Sequence, residues 1–404
     1  MAVPARAFQV GYVYSHDLRA LSDLLPSNRM RSTFVHSLIA AYKLVEHMSL
    51  IPPLQPRRAD LCLAHSEDYV NFLLSLDSKL AKGEPPWEAD LERFGLQHDC
   101  APFVGVSRLA AAVVGATLAA ARMLIAGTVD IAINWDGGRH HAFRDRASGF
   151  CYVNDIVVGI IELQRRFPRV LYLDLDIHHG DGVETAFRFS PRVYTCSFHL
   201  HDVGFFPATG GADSAPWGKG KGIDHALNVP FRSGLRTERF LRVFSAVTTE
   251  IYASFKPQCV VIQCGSDGVH GNLGARGEGW NLDTSTFAEA IAILQGLEPL
   301  PLLILGGGGY DNPTTARSWA AATAAAIRTC AIPRAGDDVP EHALWAEYAN
   351  SLGTQGIGSR ADQNDEDFVA ALIIASIDAG LSVASARVHS RISLSSCFAF
   401  LNCR

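Results

Sequence analysis

The segment VLYLDLDIHHGD, residues 170–181, constrains the fold more than any other part of the chain. It starts as an apolar run, the composition of a strand buried on both faces. It ends in acid and imidazole groups. On an extended chain, residues two apart face the same side. Asp174, Asp176 and His178 therefore point one way, and Leu175 and Ile177 the other. Two carboxylates and an imidazole on one buried face need a compensating charge. A divalent cation is the simplest one, and this donor set suits zinc, iron or manganese better than calcium. The alternative is a polar strand end whose groups satisfy one another by hydrogen bonds.

Further strands are predicted at residues 130–134, 193–198, 226–229, 259–263 and 302–305. Helical spacing marks residues 32–48, 110–126, 155–166 and 237–255. Strands alternating with helices predict a mostly parallel sheet covered on both faces. Ligands of such sheets bind beyond the C-terminal strand ends. Residues 81–92 and 204–222 read as long loops of the functional kind.

Three more polar clusters follow predicted strands. The first is NWDGGRHH, residues 134–141, in which His140 and His141 are either ligands or an acid/base pair. Asp174 and Asp181 are available to fix their tautomers. The second is QCGSDG, residues 263–268, where Asp267 can supply a third ligand. The third is LGGGGY, residues 305–310, whose glycines permit close backbone approach. Tyr310 there can donate to a polarised carbonyl. No Gly-Lys-Ser/Thr follows those glycines, and HExxH and GxSxG are absent from the sequence. Four clusters at strand ends favour a metal-assisted hydrolase.

Composition agrees. The 404 residues are 48% hydrophobic and 19% charged, too apolar for a disordered chain. The net charge of −6 argues against autonomous DNA binding. The nine cysteines are scattered without CxxC spacing, which favours reduced thiols in an intracellular protein. The first residues lack the apolar core of a signal peptide, and no run reaches 18 apolar residues, so no membrane span is expected.

The motifs NWDGGRHHAF, SGFCYVNDI, LYLDLDIHHGDGVETAF, GFFPATG and LILGGGGY resemble the class I zinc-dependent histone deacetylases over residues 12–348. The resemblance implies an arginase-like α/β deacetylase fold with about eight strands. It implies one catalytic domain over residues 8–360 and a C-terminal extension over 361–404. It assigns Asp176, His178 and Asp267 as ligands of zinc, or of iron in the cell. His141 would be general base then acid, with His140 assisting. Asp181 would orient His141, and Asp174 would orient His140. Tyr310 would stabilise the oxyanion. Asp99 would hold the substrate backbone at the rim. Gly149, Phe150, Phe206, Leu273 and Gly308 would contact the acyl-lysine. Asp174, Asp176, His178, Ser197 and Phe198 would hold potassium or sodium, and Arg31 would lie beside an acetate exit channel.

The implied substrates are acetylated histone tails and other acetyl-lysine proteins. The implied role is repression of transcription in the nucleus, with the cytoplasm a second compartment. Gly271-Asn272-Leu273 reads one residue shorter than the family's loop, and residues 220–228 about two longer. Asn28, Asn272 and Pro313 stand where larger class I enzymes use basic side chains for inositol phosphate. Activity without a corepressor is therefore expected, as in the stand-alone member of class I. The competing readings are an acetylpolyamine or other small-amide hydrolase, and a scaffold subunit of a repressor complex. A dimanganese ureohydrolase fits less well, because residues 263–268 offer one aspartate.

Overall fold

The computed structural model describes residues 8–84, 87–211, 218–272, 279–328, 338–349 and 360–385. Eight strands form one sheet: β1 (Val10–Val13), β2 (Ser49–Ile51), β3 (Ile131–Asn134), β4 (Val170–Asp174), β5 (Val193–Leu200), β6 (Ala226–Phe231), β7 (Cys259–Gln263) and β8 (Leu302–Leu305). Their order is β2-β1-β3-β8-β7-β4-β5-β6. Every pairing is parallel. This is the α/β architecture expected from the alternating pattern.

Side chains alternate between two hydrophobic layers. Leu171 and Leu173 of β4, Val260 and Ile262 of β7, and Leu302 and Ile304 of β8 enter one layer. Val170, Tyr172, Val261, Leu303 and Leu305 enter the other. Helices Arg31–Ala41, Thr237–Phe255, Thr286–Gly296 and Asn312–Ala326 contribute to the first layer. Helices Val106–Ile125 and Asp155–Leu163 contribute to the second. Helix Val106–Ile125 is long and apolar enough to cross a membrane by length and composition alone. Here 67% of its most apolar window is buried inside the protein.

Strand β4 ends at Asp174, so Asp176 and His178 lie just beyond it. The alternation nevertheless continues, since Leu175 and Ile177 still enter the first layer. The edge strand β2 and its neighbour β1 were not expected: Gly11 interrupts the apolar run of β1, and β2 has three residues of which only Ile51 is buried. The helix expected over 32–48 is divided into Arg31–Ala41 and a 3-10 turn at Leu44–His47, with left-handed Lys43 (φ 57°) at the break.

The apolar run 368–377 lies in helix Glu366–Ser385. Phe368, Val369, Leu372 and Ala375 join the first hydrophobic layer. The buried Asn364 anchors the entry to this helix. Its Oδ1 accepts from the Arg232 amide at 2.8 Å, and its Nδ2 donates to the carbonyls of Arg232 at 3.0 Å and Ser233 at 3.3 Å. Asn364→Ala strands buried backbone groups and should cost about 1–3 kcal/mol. A denaturant midpoint equal to wild type would contradict this anchoring role.

Candidate active site

The four central strands, β3, β8, β7 and β4, carry the polar clusters at their C-terminal ends. Asp176, His178 and Asp267 offer ligand atoms that all lie within 4.8 Å of one another. Nδ1 of His178 is 3.0 Å from Asp176 Oδ1 and 3.0 Å from Asp267 Oδ2. The remaining carboxylate oxygens are held by the protein. Asp176 Oδ2 accepts from the Gly308 amide at 2.8 Å and from Gln263 Nε2 at 3.0 Å. Asp267 Oδ1 accepts from the Ile177 amide at 3.1 Å. Each carboxylate thus has one oxygen fixed and one aimed at the shared point. The crowding requires glycine nearby: a Cβ on Gly265 would sit 2.0 Å from Asp176 Oδ2, and one on Gly308 would sit 2.2 Å from Asp267 Oδ2.

Two carboxylates and one imidazole nitrogen converging in a buried site fit a catalytic divalent metal with a position left for water or substrate. Burial opposes a proton on His178, but Asp176 and Asp267 outweigh it and push its pKa up to about 10. A proton and a divalent cation compete for this one place.

His140 and His141 lie beside the triad, with ring centroids 3.9 Å apart. Nδ1 of His140 is 2.8 Å from Asp174 Oδ2, and Nδ1 of His141 is 2.8 Å from Asp181 Oδ1. The carboxylates therefore differ, and so do the charges. Burial and the neighbouring His140 push His141 down to about 4, although Asp181 opposes this. Burial also opposes charge on His140, but Asp174 and Asp176 raise its pKa to about 9. One imidazole is set to accept a proton while its neighbour holds one. A dication beside them disfavours protons on both.

Tyr310 follows the four glycines. Burial, reinforced by Asp267 and Asp176, raises its hydroxyl well above the usual value, so it stays a donor. Asn272 positions it, with Oδ1 accepting from the amides of Tyr310 at 2.8 Å and Asp311 at 2.6 Å. The buried Arg31 braces the same loop, donating to the carbonyls of Gly307 at 2.9 Å and Gly309 at 3.1 Å. Its guanidinium also lies 4.9 Å from the Trp319 ring centroid.

Gly149, Phe150 and Phe206 cluster at the entrance. A Cβ on Gly149 would lie 2.5 Å from the His141 ring and 2.9 Å from Phe206. The Phe206 ring meets His141 edge-on at 4.9 Å, and Phe150 meets Tyr310 at 5.8 Å. Asp99 is exposed and precedes Cys100, whose thiol is packed against the backbone of Phe150. Ser197 pairs with Asp174 across β4 and β5, and its hydroxyl accepts from the Gly180 amide at 3.3 Å. Phe198 follows it on β5. Leu273 lies outside the described residues.

Several positioning residues carried no sequence signal. Asp155 accepts from the Gly138 and Arg139 amides at 3.0 and 2.8 Å and so fixes the turn before His140. Gln263 and Asn272 looked like ordinary strand-end and loop amides. Their roles depend on groups 87 and 38 residues away in sequence.

The chain is similar to known proteins over most of its length. Residues 25–326 match the histone deacetylase domain family. Histone deacetylase 8 of Danio rerio is 39% identical over 91% of this chain and 94% of its own length. Histone deacetylase 8 of Xenopus tropicalis is 38% identical over 89% of this chain and 94% of its own length. Histone deacetylase 19 of Arabidopsis thaliana is 39% identical over 80% of this chain and 62% of its own length. With the domain match spanning most of its length, the chain belongs to the histone deacetylase family and is a protein lysine deacetylase.

Proposed function

We propose that the chain hydrolyses N6-acetyl-lysine in histones and other proteins at a zinc centre held by Asp176, His178 and Asp267. The supporting observation is the convergence of this triad with two imidazoles, each held by its own carboxylate, and a tyrosine beside them. Zinc bound there supplies a Lewis acid for the acyl oxygen and acidifies a water. The chain's own groups do the rest. Neutral His141, oriented by Asp181, takes a proton from the attacking water. The Tyr310 hydroxyl donates to the developing oxyanion. The imidazole pair then returns a proton to the departing lysine amine, and His140 is held in place by Asp174. Gly149, Phe150, Phe206 and Gly308 enclose the lysine stem, while Asp99 holds the peptide backbone.

The same reading assigns a monovalent cation, potassium or sodium, to Asp174, Asp176, His178, Ser197 and Phe198. It takes residues 8–360 as one catalytic unit with a C-terminal extension. Iron is the alternative metal in the cell. Repression of transcription in the nucleus follows from histone substrates, and cytoplasmic substrates extend the same chemistry. Corepressor independence is supported by Asn28, which is buried against Arg31 and offers no basic surface.

Tyr310→Phe should lower kcat for an acetyl-lysine peptide by about 100- to 1000-fold, the usual effect of losing an oxyanion donor. Near wild-type turnover would remove Tyr310 from the mechanism. The pH profile tests His141. Activity should fall as decreasing pH protonates the base. Asp181 raises the His141 pKa, so Asp181→Asn should move this acid limb to lower pH while reducing kcat. An acid limb that stays in place or moves up would exclude His141 as the titrating base.

A further inference from the structure

The narrow cavity beside the catalytic histidines has two different ends. Gly149 and Phe150 line it toward the exposed Phe206, while Ser27, Asn28 and Arg139 line it toward the buried Arg31. His140, His141 and Tyr310 line the same space, so the reacting acyl group has this cavity as its neighbour.

Arg31 and Arg139 place two guanidinium groups at the inner end, 4% and 9% exposed. Among the described residues, neither forms an ion pair with a carboxylate side chain. Arg31 is committed to the carbonyls of Gly307 and Gly309. It also donates to the Asn28 amide oxygen at 2.7 Å, with that amide turned to present its oxygen. Arg139 is different. Its guanidinium makes one hydrogen bond, a long 3.3 Å contact from Nη2 to the Asp136 carbonyl. The nearby carboxylates are used elsewhere: Asp136 faces His36 at 3.0 Å, and Asp155 accepts from backbone amides and Thr117.

Buried charge of one sign without a counter-charge is costly. Arg139 also repels Arg31, adding to the effect of burial in lowering the Arg31 pKa. An anion at the inner end of the cavity relieves both costs. A guanidinium with spare donors is suited to a carboxylate, which it can hold by two parallel hydrogen bonds. Tyr310, His141 and Arg139 line the same cavity, so an acyl group with its carbonyl by Tyr310 and His141 would share that space with Arg139.

We propose that Arg139 is a specificity-determining residue that admits short acyl-lysines ending in a carboxylate, malonyl and succinyl, in addition to acetyl. This rests on the deacylase reading above and names a further substrate class for the same site. The reaction is the same hydrolysis. Water adds to the acyl carbon, the C–N bond breaks, and the lysine amine leaves with a proton. The products are free lysine and a dicarboxylate in place of acetate.

The test compares one peptide sequence carrying acetyl-, malonyl- or succinyl-lysine, with wild type, Arg139→Leu and Arg139→Lys. Wild type should cleave at least one acidic acyl peptide. Arg139→Leu should lower kcat/KM for that peptide, relative to acetyl, by about 10- to 100-fold, the range of a charge-assisted hydrogen bond. Arg139→Lys, which keeps the charge, should restore part of the ratio. Binding of free malonate or succinate, followed by calorimetry on the full chain, should weaken in Arg139→Leu by a similar factor. Thermal melting checks that each variant is folded. If the leucine variant does not fold, the lysine variant and the wild-type measurements decide. Wild type that cleaves the acetyl peptide alone and binds neither dicarboxylate overturns the inference and leaves the deacetylase reading standing. Cleavage of no peptide overturns both.

Discussion

Three carboxylates, Asp174, Asp176 and Asp267, are confined to the buried ends of two neighbouring strands, each with 1% exposure or less. Charge packed this densely away from water must be offset locally, and much of the surrounding architecture follows from that demand. Tyr172 and His140 meet Asp174, while Gln263 and the Gly308 amide meet Asp176. The Ile177 amide meets Asp267. The glycines at 265 and 308 exist because any side chain there would occupy the space of these oxygens. The other oxygens of Asp176 and Asp267 both face one place, 3.0 Å from His178 Nδ1. The same constraint that shapes the fold creates the candidate metal site.

The parallel sheet turns this local demand into a catalytic arrangement. Because β3, β8, β7 and β4 are adjacent and run the same way, their four following loops meet at one edge. Each loop brings one kind of group: imidazoles after β3, ligands after β4 and β7, and a phenol after β8. Groups up to 170 residues apart thus line one cavity, where the proposed reaction would place the acyl carbon. Backbone contacts set by Asp155, Asn272 and Arg31 hold the loops in register, so the chemistry rests on anchored turns.

The sheet and the shared face of Asp174, Asp176 and His178 were legible because they depend on local pattern. β4, β7 and β8 are uninterrupted apolar runs, and the alternation through Asp174, Asp176 and His178 can be read from neighbours alone. β1 and β2 were not legible: Gly11 breaks the apolar run of β1, β2 is three residues with one buried, and both are held by pairing with residues far away. The same physical reason hid Asn272 and Gln263: an amide gains its meaning from partners on another loop. Asn28 and Asn272, which stand where larger class I enzymes use basic side chains, are buried, at 7% and 0% exposure. Arg139 gave no signal in the sequence either, since only packing shows that its charge is enclosed and lacks a carboxylate partner.

The central claim is that the Asp176, His178 and Asp267 cluster binds the metal on which deacetylation depends. Metal content and turnover of an acetyl-lysine peptide, measured together on the full chain through chelation and stepwise return of zinc, test it most directly. The account predicts that activity falls to background on chelation and returns in proportion to zinc, saturating at one catalytic ion per chain. Full turnover by metal-free protein would contradict it.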